Sequence, residues 1–470
     1  MNNRHSLVWF RRDLRFTNNN ALSSALTQSD QVSCVFVFDE DILKSLQPDD
    51  RRLSFIWESL EDMNRQLAQI KAGPVHIFFG KPDQVIPHIL SNSKIDALYV
   101  NHDYEPDAMD RDKKIHTICK DSGVNFYSSK DQVIFEKSEI IKNDGTPYKV
   151  FTAYKNKWLD GLQRLPPDYF RPSTVTWEKV KPLSHSLEAV TTLSQIGFKQ
   201  VKNIIPGGER AGKNHWGTFF KTQIKDYFEN RNLPGIDKTS HLSPYLRFGN
   251  LSIRDVVGKL KDDDSKGAQT FLSELIWREF FMMILFHFPH VLSQPFNSAY
   301  DGMHWQNRRD WFGAWCDGKT GFPIVDAGMR QLNETGFMHN RLRMITASFL
   351  VKHLHIDWRW GEKYFAQRLL DFELSSNNGN WQWAAGTGVD AAPYFRIFNP
   401  LTQSRKFDAQ GAYIKRWLPE LHACVGSTIH EPFKYHPTTI LNNYTIPIID
   451  LAKERKICLE MYNYFSVRKK

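Results

Sequence analysis

Little cysteine and no long apolar run set the first limits on this 470-residue chain. Its five cysteines, Cys34, Cys119, Cys316, Cys424 and Cys458, are odd in number and scattered, with no Cys-x-x-Cys pair. That pattern argues against a disulfide scaffold and a zinc site, and for reduced thiols in a cytosol. The opening MNNRHSLVWFRRDLRF has no apolar signal core, and no apolar stretch reaches membrane-spanning length. The first strand candidate runs into Arg-Arg-Asp-Leu-Arg instead of a glycine fingerprint, so a standard dinucleotide site at that turn is not expected. There is no internal repeat and no low-complexity tract.

What the chain has is charge and aromatic rings. A net charge of +9 and a pI near 9.1 favour an anionic partner, nucleic acid among them. It carries 14 Trp and 33 Phe, with the tryptophans concentrated after residue 300. At this length, with 41% hydrophobic residues, two to four domains have ample core.

The first third alternates strand and helix. Strand candidates are SLVWF (6–10), VSCVFVFD (32–39), VHIFF (75–79), IDALYVN (95–101) and VNFYS (124–128), with helical patterns over 52–70 and 109–123. This order predicts an α/β domain, 1–130, built on a doubly wound, parallel, five-stranded sheet. Prolines 166, 167, 172 and 182 mark residues 131–206 as an interdomain connection, and helical periodicity predicts a larger all-α domain over 207–470, with SVRKK as a frayed tail.

Gly313-Ala-Trp-Cys-Asp-Gly-Lys319-Thr320 has Walker A spacing, but no strand precedes it and Pro323 follows, so a helix-ending turn is the better account. In the helical stretch 271–288, Glu274, Trp277 and Arg278 share one side, with Phe281 extending the stripe and Leu272, Leu275, Ile276 and Met283 facing a core. This is either a surface Glu–Arg pair beside a tryptophan or a pocket wall with a stacking plane and a carboxylate. The stretch 336–354 places Asn340 and Met344 four apart, with Arg341 and Arg343 on neighbouring sides. An Asn inside an apolar helix needs a partner. Asp371 and Glu373 precede Asn377 and are placed to orient Arg343 or bind a ligand's donors. Thr239, Ser240, His241, Leu242 and Ser243 offer hydroxyls and N–H groups for a phosphate, or equally an N-cap. The segment Asn377–Pro400, NNGNWQWAAGTGVDAAPYFRIFNP, holds two tryptophans and almost no aliphatic side chains, which suits a wall against something flat and polar.

WREF, GKTGFPIVDAGMRQL, MHNRLRM, the 377–400 segment and VWFRRDLR together resemble the photolyase–cryptochrome family from end to end, closest to its bacterial class I cyclobutane-dimer branch. The resemblance implies FAD in the all-α domain. Tyr227, Thr239, Ser240, His241, Leu242 and Ser243 would then contact its phosphates and ribityl chain, and Phe271, Arg278, Asn340, Arg343, Asp371, Glu373 and Asn377 its ring systems. Glu373 stands where the family usually has Asp. His241 stands where many relatives have Arg or Lys. Asn377 would lie near flavin N5. The implied reaction is light-driven repair of cyclobutane pyrimidine dimers, with Glu274, Trp277, Asn340, Met344 and Trp383 around a flipped lesion. Arg231, Arg341 and Arg396 would bind DNA phosphates. Trp305, Trp358 and Trp381 match the family's electron-transfer chain, or are plain core.

A second antenna chromophore is implied in the N-terminal domain: methenyltetrahydrofolate first, a deazaflavin as alternative. The positions of the folate-binding Asn-Glu pair read Asp107-Ala108 here. Asn340 and Met344 separate the chain from (6-4) photolyases, Trp277 and Trp383 from DASH-type cryptochromes, and the short end after the flavin domain from signalling cryptochromes. A blue-light photoreceptor and a flavin-free nucleic-acid binder are the alternatives. A cytoplasmic monomer without membrane or metal is expected.

Overall fold

The computed structural model describes residues 3–171, 176–435 and 444–467. Pro172 of the proline-rich connection and the last three basic residues of the tail lie outside them. Five strands form one sheet: β1 (Asn3–Phe10), β2 (Ser29–Asp39), β3 (Val75–Gly80), β4 (Ala97–Asn101) and β5 (Asn125–Ser129). Their order is β3-β2-β1-β4-β5 and every pairing is parallel, with Val8 of β1 opposite Cys34 of β2 on one side and Tyr99 of β4 on the other. Helices α1 (Asn20–Gln28), α2 (Arg51–Gln69), α3 (Pro82–Asn92) and α4 (Pro106–Asp121) make the crossovers. Burial on both faces explains the unbroken apolar runs: Leu7, Val8 and Phe10 of β1 and Cys34 and Val35 of β2 are wholly buried.

β1 and β2 start three residues before their apolar runs. Asp96 Oδ2 accepts the Arg4 and His5 N–H groups at 2.8 Å, and Ser6 Oγ meets Ser29 Oγ at 2.7 Å. Beyond β1, Asp131 accepts from both arginines of a buried ionic knot. Arg15 Nη2 lies 2.7 Å from each of its carboxylate oxygens, and Arg254 Nη2 lies 3.2 Å from Oδ1.

The described chain divides into two compact units. The first holds residues of Met1–Thr146, Lys155–Thr222 and Ser240–Asp264; the second holds those of Pro147–Tyr154, Gln223–Thr239 and Ser265–Lys470. The expected connection, 131–206, thus falls in the first unit apart from 147–154, and so do 207–222 and 240–264 of the expected helical domain.

In the second unit five helices position the site: α5 (Lys266–His287), α6 (Pro323–Thr335), α7 (Asn340–Lys352), α8 (Trp358–Arg368) and α9 (Leu374–Ala385). Ser265 caps α5 by accepting the Ala268 N–H at 3.3 Å. α9 lies against α5 because Gly379 has no side chain; a Cβ there would stand 2.1 Å from Phe281 Cδ1. Gly361 of α8 does the same for Trp381, whose Cη2 would be 2.1 Å from a Cβ.

The Walker-like segment begins inside helix Arg309–Cys316, whose last four residues it includes, and leads into α6, with no strand directly before it. Its Thr320 serves the fold: Asp326 Oδ1 accepts from the Thr320 N–H at 2.7 Å and from its hydroxyl at 2.6 Å. Among the described residues no helix is long and apolar enough to cross a membrane.

Candidate active site

α5 presents Glu274, Trp277 and Arg278 on one side, while Leu272, Leu275, Ile276 and Met283 are buried on the other. Arg278 reaches Glu373, its Nε and Nη2 each 3.1 Å from a carboxylate oxygen. Arg343 donates from Nη2 to Asp371 Oδ2 and from Nε to the Met338 carbonyl, both at 2.8 Å. Both carboxylates are buried, Glu373 against two nitrogens of Arg278 and Asp371 against one of Arg343. Asn377 Nδ2 donates to the Glu362 carbonyl at 3.0 Å, and Asn378 Nδ2 donates to Glu362 Oε1 at 3.0 Å. Burial pushes the Glu362 carboxyl up to about 7 against that Asn378 hydrogen bond.

Two oxygens in this stretch are buried without a partner: Asp371 Oδ1 and Ser375 Oγ. An unsatisfied buried acceptor costs about 1–3 kcal/mol, so such atoms mark a place suited to another polar group. An isoalloxazine edge alternates carbonyl acceptors with an N–H donor. Arginine donors, a carboxylate with one unused oxygen, a hydroxyl and Asn377 suit that edge, so the residues fit FAD.

Tyr227 meets Phe271 edge-on, ring centroids 5.2 Å apart, and burial raises its phenol well above the usual range, with Glu274 adding to the effect. Tyr227 and Thr239 belong to the second unit, Ser240 to Ser243 to the first. There, Leu242 is buried, and its N–H donates to Ser240 Oγ at 3.3 Å. His241 holds a φ of 49°, and Ser243 opens a five-residue helix.

The three arginines expected at DNA share one electrostatic field. Burial lowers the Arg341 guanidinium first, followed by the positive charges of Arg231 and Arg396, while Glu274 opposes them. Arg341 donates to Asn232 Oδ1, lies 4.3 Å from the Phe407 ring centroid and keeps its Nε buried without a partner. Arg231 Nη1 donates to Glu274 Oε1 at 2.7 Å. Arg396 is exposed beside Phe398, whose ring meets Trp383 at 6.5 Å.

Two expectations are corrected. Asn340 does not sit inside a helix: His339 caps α7, its Nδ1 accepting the Arg341 N–H at 3.1 Å, and Asn340 is the exposed first residue. The surface Glu274–Arg278 alternative gives way to two longer-range pairs, Glu274 with Arg231 and Arg278 with Glu373. Met344 is half-buried on α7. Trp358 and Trp381 are buried in one hydrophobic core, with Trp305 packed against it; Trp381 contacts Phe365 at 5.0 Å and Trp315 at 6.1 Å.

Sequence reasoning missed Glu362 and Ser375, and above all Phe151, whose ring lies face to face with Trp277 at 3.7 Å. Phe151 stands in a stretch read as a connection, and no local pattern announces its partner. Among the described residues no cluster of His, Cys, Asp and Glu is arranged to hold a metal.

Residues 6–173 match the DNA photolyase family and residues 271–464 the FAD binding domain of DNA photolyase. The chain is 36% identical to the deoxyribodipyrimidine photo-lyase of Vibrio cholerae, covering 97% of this chain and 98% of that one. It superposes on a bacterial class III photolyase from Agrobacterium tumefaciens with a TM-score of 0.88 at 33% identity, covering 99% of this chain and 98% of that one. An archaeal photolyase from Sulfolobus tokodaii, solved with two FAD molecules, gives 0.85 at 33% identity, with 98% and 100% covered. End to end, then, in both sequence and architecture, this chain belongs to the DNA photolyase family.

Proposed function

We propose that the light-dependent DNA repair performed by this chain, a lyase reaction with FAD, acts on cyclobutane pyrimidine dimers. Bound in its reduced form and excited by light, FAD supplies the electron that splits such a dimer and takes it back. The observation that carries the reading is one side of α5. Arg278 ties it to the Glu373 carboxylate at the flavin wall, Glu274 ties it to the arginine field, and Trp277 lies between them in sequence.

The residues then divide the work. Arg278, Arg343, Asp371, Glu373 and Asn377 hold and orient the ring system, with Thr239, Phe271 and Asn340 completing the cofactor's surroundings in the second unit. Arg231, Arg341 and Arg396 bind phosphates of the kinked strand. Trp277 and Trp383 stack on an extruded lesion, each worth about 1–3 kcal/mol, which offsets the few kcal/mol of unstacking. Glu274 hydrogen-bonds the dimer and steadies the charge it gains, while Met344 and Asn340 close the cavity. Trp305, Trp358 and Trp381 pass electrons inward. Asn340 and Met344, where (6-4) photolyases carry histidines, support dimer repair over that alternative. A photoreceptor would bind lesion DNA without repairing it.

A second chromophore in the first unit remains part of the reading, methenyltetrahydrofolate with a deazaflavin as alternative. The Sulfolobus tokodaii photolyase, solved with two FAD molecules and implicating a novel light-harvesting cofactor, supports an antenna in general. A cytoplasmic monomer completes the proposal.

Glu274→Ala is expected to lower both affinity for dimer-containing DNA and repair per photon about tenfold, the scale of one hydrogen bond to a charged group, with FAD content unchanged. Dark binding and single-turnover repair under light measure this. Repair per photon equal to wild type would remove Glu274 from the mechanism.

A further inference from the structure

We propose that Phe151 and Asp390 are positioning residues that fix the plane of Trp277 for the lesion. The inference rests on the reading above, in which Trp277 stacks against the dimer.

Phe151 and Trp277 lie parallel, with centroids 3.7 Å apart and planes 9° from one another. Free aromatic pairs favour offset or edge-to-face arrangements over a close face-to-face sandwich. Something must therefore hold this one, and the structure supplies two restraints. Phe280 stands edge-on to both rings, at 5.8 Å from Phe151 and 5.6 Å from Trp277. Asp390 Oδ2 accepts the Phe151 backbone N–H at 3.0 Å. Phe151 is the first residue of helix Phe151–Gln163, so the carboxylate meets a donor with no partner within the helix and the positive end of its dipole.

Phe151 is buried, whereas Trp277 is only half-buried. One indole face is spent on Phe151, and a base must use what remains. Asp390 lies in the loop that leaves α9, the helix of Trp383, and holds a left-handed φ of 45°, a conformation that non-glycine residues seldom adopt. The Asp390–Phe151 bond thus references the two lesion-holding indoles, on α5 and α9, to one brace. All of these residues belong to the second unit.

The test is dark binding of a thymine-dimer oligonucleotide and its undamaged counterpart to FAD-loaded protein, with FAD content as control. Trp277→Ala loses preference for the dimer. Phe151→Ala is expected to lose about three- to tenfold of that preference, the scale of an aromatic pair, and Phe151→Tyr, which keeps the ring, to recover most of it. Asp390→Ala loses a smaller part, and Asp390→Asn, whose amide oxygen still accepts, restores it. If Phe151→Ala fails to fold, the Asp390 pair decides. The brace is overturned if Phe151→Ala and Asp390→Ala keep full dimer preference while Trp277→Ala loses it, if Asp390→Asn does not restore it, or if both DNAs weaken equally. Should Trp277→Ala itself keep full preference, the lesion-stacking reading fails first and the brace with it.

Discussion

Arg278→Ala is expected to emerge from purification nearly free of FAD. Its guanidinium and the Glu373 carboxylate form a pair only 13% and 7% exposed. Truncating one partner of such a pair costs about 2–5 kcal/mol, largely through the charge left buried. That cost falls on the folded wall itself; the charged hydrogen bonds to the cofactor lost with the guanidinium are worth about 1.5–3 kcal/mol, a loss of about 10- to 150-fold in FAD affinity. Arg278→Lys should fall between, since an ammonium restores charge but not the planar two-point fork. The flavin-to-protein absorbance ratio, and the thermal shift on adding FAD, measure it. A stoichiometric flavin complement in Arg278→Ala would move the ring system away from α5.

Asp131→Ala is expected to cost stability on a comparable scale without touching the flavin wall. The Asp131 carboxylate is 1% exposed and faces Arg15 at 3% and Arg254 at 6%. Removing it strands two buried guanidinium groups in the first unit, a loss of about 3–5 kcal/mol. Asp131→Asn keeps an acceptor but no charge, and should recover only part. Denaturant unfolding followed by far-ultraviolet circular dichroism reads the difference. A loss below about 1 kcal/mol would show that the knot exchanges its partners for water at no cost.

The sheet was legible because a strand buried on both faces must be written in apolar residues. VFVF within β2, rich in β-branched and aromatic residues and short, favours a strand, and crossover helices between such strands require parallel pairing. The strand starts were not legible, because Asn3, Ser29 and the polar residues after them pair through side chains far away in sequence, such as Asp96. In the helical part, the stripe Glu274–Trp277–Arg278 was readable from spacing alone, but its partners were not. The bond from Arg231 to Glu274 spans 43 positions and that from Phe151 to Asp390 spans 239. Periodicity reports which side of a helix is buried, and carries no information on what arrives there. Asn340 shows the complementary error. Apolar residues on both sides suggested a helix interior, yet the cap at His339 puts Asn340 at the exposed start of α7. The resemblance to a family supplied the roles that spacing could not.

In the proposed mechanism α5 joins a flavin wall to a cavity for one extruded pyrimidine dimer. The most direct measurement is the amount of cyclobutane dimer remaining in an oligonucleotide incubated with the purified, FAD-bearing protein in blue light and in darkness. Loss of dimers and return of intact pyrimidines are expected only in the light, with tight dimer-selective binding in both. Dimers that stay bound and unsplit under illumination, with reduced flavin present, would contradict that mechanism.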